Sequence, residues 1–251
     1  MDSMTETIDL NADLGEGCDG DADLMSVITS CNIACGGHAG DAETMREALQ
    51  LAKANGVAAG AHPSFPDREN FGRTRSTLSG EDLEKALIAQ VEALRDIADE
   101  LSVPLAHLKP HGALYNMAAI DANLAQSLVM VLKETLPDAR LVGPPASELE
   151  NAARLHGVAF TAEGFADRTY EGDGQLRDRT KSGAVIHDPD AQAEQALRIA
   201  MQHNVTTYDG DLIGLPVATI CVHGDTPESV AAARKIQAAL EKEGLKLCPP
   251  T

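Results

Sequence analysis

A chain of 251 residues with 39 acidic against 20 basic side chains carries a formal charge of −19, and its overall field repels nucleic acid and anionic membrane surfaces. Aromatic residues make up only 3% and Trp is absent, which suits helices packed on a parallel sheet more than a sandwich and predicts an aliphatic core. No apolar run approaches the ~18 residues needed to cross a bilayer; Met1 to Thr7 holds no apolar signal region, and five cysteines without a CxxC pair suit a reducing compartment, so the expected location is the cytoplasm.

Seven short apolar runs, beginning at Ile8, Ile28, Val57, Val103, Leu141, Val158 and Val217, each end in Gly or Pro. Amphipathic stretches with helix signals lie between them. Asp41 to Asn55 places Met45, Ala48, Leu49 and Ala52 at helical spacing and stops at Gly56. Ser79 with Asp82 resembles a capping start for Leu83 to Leu101. Further helices are expected at Asp121 to Leu136, Ala146 to His156 and Asp190 to His203, and Thr226-Pro227-Glu228 is a start signal for another. Asp209-Gly210 inside Val205 to Val217 signals a hairpin before the last strand.

This βαβα order predicts an α/β fold, a single TIM-like (β/α) barrel of parallel strands with an added β-hairpin, occupying residues 1–251 as one domain. Cys31 and Cys35 would lie about 13 Å apart on an extended strand, too far to bridge. Two connections, His62 to Ser79 and Phe165 to Asp188, are longer than a barrel needs, and both carry arginines in an otherwise acidic protein.

Six of the seven runs deliver ionisable or strongly hydrogen-bonding groups at their ends, which in a closed parallel sheet meet at the C-terminal rim. Asn11, Asp13 and Glu16 leave the first run, Asn11 as a candidate substrate contact. A carboxylate there can be a general base, a metal ligand or a partner for a lysine, unless it merely caps a helix after Gly20, a task that Asp19 or Asp21 also suits. Strand alternation puts His107, Lys109 and His111 on one face, pointing into the barrel and its mouth, where a lysine must be paired or functional.

His38 and His62 follow strand ends and are candidates for substrate contact; together with Asp13 they are candidates for a divalent metal, with His111 and His223 as further imidazoles. No HxxxH spacing supports a dedicated metal motif. Glu163 and Arg168 suit a base and an anion clamp, against the alternative of an Asp167–Arg168 ion pair that only holds the loop. His223 and Asp225 form a candidate second acid/base pair, or a simple strand-to-helix turn.

Gly15-Glu16-Gly17-Cys18-Asp19-Gly20 matches GxGxxG formally, but Glu16 and Asp19 would oppose a pyrophosphate. There is no GxxxxGK[ST] loop and no GxSxG elbow.

Six ordered segments resemble one family: Asp9-Leu10-Asn11-Ala12-Asp13-Leu14-Gly15-Glu16, Asn32-Ile33-Ala34-Cys35-Gly36-Gly37-His38-Ala39-Gly40-Asp41, Gly60-Ala61-His62-Pro63-Ser64-Phe65-Pro66-Asp67, Lys109-Pro110-His111-Gly112-Ala113-Leu114-Tyr115, Phe165-Ala166-Asp167-Arg168 and Cys221-Val222-His223-Gly224-Asp225-Thr226. Together they resemble the LamB/YcsF family over about Ile8 to Leu247. The resemblance implies a seven-stranded barrel related to the glycoside hydrolase/deacetylase barrels. It further implies ATP-dependent opening of 5-oxo-L-proline to L-glutamate, with two further subunits, B and C.

On that reading Arg168 or Arg73 holds the substrate carboxylate, and Lys109 stabilises negative charge on the reacting oxygens. Asp13 or Glu163 is the base toward water, and His111 and His223 are candidates to protonate the departing nitrogen. The rivals are a metal-dependent deacetylase or amidohydrolase and a non-catalytic subunit that only binds 5-oxoproline.

Overall fold

The computed structural model describes residues 7–223 and 229–250. Its strands are β1 (Thr7–Leu14), β2 (Ser30–Ala34), β3 (Ala58–His62), β4 (Leu105–Leu108), β5 (Arg140–Gly143), β6 (Phe160–Phe165), β7 (Asn204–Thr206), β8 (Leu212–Gly214), β9 (Thr219–His223) and β10 (Lys246–Leu247). Among the described residues, β1 to β6 and β9 pair in parallel in chain order, and β9 pairs back onto β1, so seven strands close a barrel. All seven expected runs supply one. The expected hairpin is present as antiparallel β7 and β8. The pairing of β10 with the start of β1 has no signal in the sequence pattern.

Helices cover the barrel where periodicity places them. Helix α1 (Asp21–Leu24) is a single turn, and α2 (Ala42–Asn55) starts at a capping box in which Asp41 accepts from the N–H groups of Glu43 and Thr44. Helix α3 (Gly80–Leu101) buries Leu83, Leu87, Val91, Leu94 and Ile97, spaced by three or four. Ser79 stands at its N-cap position but makes no side-chain cap bond, and neither Asp19 nor Asp21 caps α1, whose N-cap is Gly20.

The short α4 (Gly112–Ala118), not foreseen from the pattern, turns the chain immediately after His111. Then come α5 (Ala122–Thr135) capped by Asp121, α6 (Glu148–His156) capped by Ser147, α7 (Pro189–Gln202) capped by Asp188, and α8 (Ser229–Lys242). The start signal Thr226-Pro227-Glu228 lies outside the described residues. Among the described residues, no helix is long and apolar enough to cross a membrane.

The aliphatic core expected from composition occupies only the layer between sheet and helices, where Leu10, Ala12, Leu14, Ile33, Leu108 and Ile220 are buried. Inside the barrel most of the alternating positions are polar, Val142 and Phe165 being exceptions. Barrels of this type usually fill that space with branched aliphatic residues; here a hydrogen-bonded stack does so. At the lower end the Asp9 carboxylate accepts from the hydroxyls of Thr29, Ser30 and Thr219 at 2.6, 2.6 and 2.5 Å. Burial still raises its pKa above the usual carboxylate value, against the pull of those three donors.

One layer higher, Asn11 Nδ2 donates to Glu163 Oε1 (3.0 Å) and Thr219 Oγ1 (2.6 Å), while its Oδ1 accepts from Asn32 Nδ2 (2.8 Å). Asn32 Oδ1 accepts from His107 Nε2 at 2.7 Å, which fixes the proton on that nitrogen. Burial, then the charges of Lys109 and His62, push His107 down to about 3.

Gly60 on β3 is required by this stack, because a Cβ there would overlap the His107 ring. Gly60→Ala is expected to lower unfolding free energy by about 1–3 kcal/mol, read by urea denaturation, and an unchanged midpoint would refute the close packing. His107 also sets a pH dependence. Below its unfolded pKa of about 6.5 the unfolded chain takes up a proton that the folded chain refuses until about pH 3, so stability falls with pH across that window. His107→Gln is expected to remove up to about 1.4 kcal/mol per pH unit of that slope, measured by denaturation between about pH 7.5 and about pH 5.5 (about one unit either side of the window's upper edge).

Candidate active site

The polar stack leads upward to the C-terminal mouth, where the strand registers set Asp13 opposite both Asn32 and His223. Lys109, one residue past β4, lies at the centre and is 2% exposed. Its Nζ is 2.9 Å from Asp13 Oδ1, 2.8 Å from Glu163 Oε1, 3.4 Å from Asn11 Oδ1 and 3.1 Å from Cys221 Sγ. Burial opposes the lysine's charge, but Asp13 and Glu163 outweigh it and hold Lys109 well above its ordinary value. Burial would likewise raise Asp13, yet His62 and Lys109 hold it well below the carboxylate range. Lys109 and Asp13 are thus ionised together, and the inward-facing lysine is paired, as the strand pattern requires.

Asp13 divides its oxygens between two levels. Oδ1 accepts from Asn32 and Lys109, while Oδ2 faces His62 Nε2 at 3.2 Å and His223 Nε2 at 3.9 Å. His223 stacks on Phe165 and donates from Nδ1 to Asp167 Oδ2 at 2.7 Å. Burial works against the Asp167 anion, but His223 chiefly, then Arg179 and Arg168, keep it low. Beside Phe165, on the neighbouring strand and helix, Tyr115 Oη and Glu163 Oε2 are buried without a hydrogen bond of good geometry. Burial and the Glu163 charge push the Tyr115 phenol well up, so it stays protonated.

Four ends of consecutive strands meet in a second group: Glu16, His38, His62 and His111. His38 Nε2 is 2.9 Å from Glu16 Oε1, and the His38 and His111 rings stack at 3.6 Å. His62 Nδ1 donates to the Lys109 carbonyl (2.8 Å) and His111 Nε2 to the Phe71 carbonyl (3.0 Å). Burial, then the charge of His62, lowers the pKa of His111 well below the usual histidine value; burial also lowers His38.

The first long loop lies directly over these rings: Gly72, at φ 63°, packs on His38 and His111 so closely that a Cβ would crowd both. Phe71 meets the two rings edge-on, and the exposed Arg73 guanidinium sits 5.0 Å from the Phe71 ring centre. Ligand-type atoms lie close enough to share one metal ion in two groups, Glu16 with His38, His62 and His111, and Asp13 with Cys221 and His223.

The structure thus brings together Asp13, Lys109, His111, Glu163, His223, His38 and His62, with Arg73 at the rim. Two expected substrate contacts are placed elsewhere. Asn11 lies below the mouth with its amide fully engaged in the interior stack. Arg168 is 4% exposed and donates to the carbonyls of Ala184 (3.2 Å) and Arg177 (2.6 Å), so it holds the second long loop instead of reaching outward. Burial and the nearby Arg179 bring its pKa down to about 10, with Arg73 also contributing, so three guanidinium groups share this side of the mouth.

Asp225 lies outside the described residues. Asp167, a candidate Arg168 partner by its place in the sequence, binds His223 at close range instead. Cys221 and Tyr115 join the site without having been expected there. Cys221 was reachable from β9 alternation, since Thr219, Cys221 and His223 share a face; Tyr115 carried no such signal.

Comparison with known proteins agrees with this architecture. The LamB/YcsF family model matches residues 8–251. A crystal structure of the lactam utilization protein from Thermus thermophilus superposes with a TM-score of 0.89 at 37% identity, covering 96% of this chain and 99% of that one. T48 deacetylase with substrate (TM-score 0.51, 15% identity, 98% and 88% covered) shares the fold. So does a family 4 carbohydrate esterase from Streptomyces lividans in complex with acetate (0.50, 11%, 96% and 91%). With its whole barrel matched and its polar mouth assembled from the motif residues, the chain belongs to the LamB/YcsF family.

Proposed function

We propose that the chain is the A subunit of a 5-oxoprolinase, a hydrolase that opens the lactam of 5-oxo-L-proline to L-glutamate with ATP as co-substrate and subunits B and C as partners. The observation that carries this reading is the buried Lys109 held between Asp13 and Glu163 at the mouth. The 37% identity to a protein named for lactam utilization supports the substrate class.

A lactam resists water because amide resonance weakens the carbonyl and nitrogen is a poor leaving group. Transfer of the terminal phosphoryl group of ATP to the carbonyl oxygen, with release of ADP, addresses the first difficulty. Water then adds to the carbon, the C–N bond breaks as nitrogen takes a proton, and a second water frees phosphate from the acyl product.

The site geometry supports a particular division of labour. A carboxylate held as low as Asp13 is a weak proton acceptor and a durable anion, since proton transfer is efficient when the pKa lies near the working pH. His223, tethered through Nδ1 to Asp167, presents Nε2 toward Asp13 and is the group best arranged to take a proton from water and return it to nitrogen. Lys109 contributes a fixed positive charge in a water-poor interior, where such charge is most effective on a developing oxyanion. Arg73, at the exposed rim, meets the substrate carboxylate.

Phosphate release dependent on both ATP and 5-oxoproline is expected only when this chain and subunits B and C are all present; turnover by this chain alone without ATP would overturn the proposal. In the assembled enzyme, Lys109→Met is expected to lower turnover by about 10²–10³-fold, checked alongside a melting curve for folding. Near-normal turnover would remove Lys109 from the mechanism. Asp167→Asn is expected to lower kcat by about 10²-fold through loss of His223 orientation, with KM little changed, whereas a change confined to KM would make Asp167 a binding residue.

A further inference from the structure

We infer that Glu16, His38, His62 and His111 form a binding site for one borderline divalent cation of the Zn²⁺ type. This goes beyond the reaction proposed above, which routes no step through such an ion.

The argument starts from where the ring protons are. A carbonyl oxygen only accepts, so the 2.8 Å contact from His62 Nδ1 to the Lys109 carbonyl fixes a proton on Nδ1. The 3.0 Å contact of His111 Nε2 with the Phe71 carbonyl fixes a proton on Nε2. When both rings are neutral, His62 Nε2 and His111 Nδ1 each carry a lone pair and face each other at 3.0 Å, with Asp13 Oδ2 a third acceptor 3.2 Å from His62 Nε2. Two acceptors at that distance repel unless something positive lies between them. Backbone carbonyls that orient metal-binding imidazoles in this way are a recurrent outer layer of metal sites.

A single extra proton satisfies one such pair; a cation satisfies the whole group. Glu16 Oε1 is 3.4 Å from His111 Nδ1, 3.9 Å from His62 Nε2 and 2.9 Å from His38 Nε2, and all four ligand atoms lie within 4.8 Å of one another. A tetrahedron with ligand bonds of about 2.0–2.1 Å has edges of roughly 3.3 Å; the separations of 2.9, 3.0, 3.4 and 3.9 Å lie near that value, and the stacked His38 and His111 rings must turn out of parallel to bring one ion into both ring planes. The buried His38 Nδ1 has no hydrogen-bond partner. Ligation through Nε2 requires the one proton of the neutral ring to stand on Nδ1, which takes it out of the present contact with Glu16.

Three imidazoles and one carboxylate favour Zn²⁺, Co²⁺ or Ni²⁺ over Mg²⁺ or Ca²⁺, which prefer all-oxygen shells. The four residues come from the ends of β1, β2, β3 and the segment after β4, so barrel closure itself preorganises the site.

The test is binding by the full chain, stripped with chelator and titrated with ZnCl₂ by calorimetry, with metal content measured after desalting. One ion per chain is expected, with affinity at least about 100-fold weaker in Glu16→Gln and in His62→Gln. The exposed His187→Gln should bind as the unaltered chain does. Circular dichroism establishes that each variant is folded. If a variant does not fold, X-ray absorption on the Zn²⁺-loaded unaltered chain decides, with three imidazoles and one oxygen expected in the first shell. Absence of stoichiometric binding, unchanged affinity in both folded variants, or a shell with fewer than three imidazoles would overturn the site. None of these results depends on lactam turnover, so the site and the reaction fail separately.

Discussion

The ion triad of Lys109, Asp13 and Glu163 is the constraint around which the barrel is organised. Burying one cation with two anions is costly unless each is closely paired and its remaining hydrogen-bonding capacity is met. The chain meets most of that demand with amides and hydroxyls from below: Asn11 donates to Glu163, Asn32 to Asp13, and Thr219 bridges Asn11 and Asp9. A branched aliphatic filling would leave the triad without partners. The polar interior is therefore a consequence of placing a lysine at the mouth, and the leucine-rich layer outside the sheet supplies the apolar burial that the interior does not.

The same arrangement gives the mouth two functional levels. The lower one, Lys109 with Asp13 and Glu163, holds fixed charge deep in the barrel. The upper one, three histidines with Glu16 on one side and His223 with Asp167 on the other, carries groups whose protonation or ligation can change. Asp13 joins them, with one oxygen turned down to Lys109 and the other turned up to His62 and His223. The long loops complete the enclosure: Phe71 and Gly72 roof the histidines, and Arg168 secures the loop that brings Asp167 to His223.

Much of this was legible in the sequence because it depends on local spacing. The ends of seven apolar runs located the strands, Asp41 and Gly56 bounded a helix, and alternation through His107, Lys109 and His111 gave the inward face. Other features depend on contacts between distant segments and have no local signature. Nothing near Asn11 reveals that Glu163, 152 positions later, takes up its amide. Arg168 looked like an outward clamp because sequence cannot show that the carbonyls of Ala184 and Arg177 fold back to it. Ser79 has the residue type and spacing of a cap, but its side chain makes no such bond. Composition correctly indicated aliphatic packing and was silent on which side of the sheet it would lie.

Barrel closure between β1 and β9 also has a bearing on how the protein is made. Thr219 follows Asp9 by 210 positions, yet its hydroxyl is one of three donors to that carboxylate. During synthesis the early β/α units can pack their aliphatic faces, while Asp9, Asn11 and Asp13 wait in water for β9 to leave the ribosome. Such distant pairings form slowly and late. The chemistry at the mouth therefore comes into being all at once, when the last barrel strand slots in beside the first.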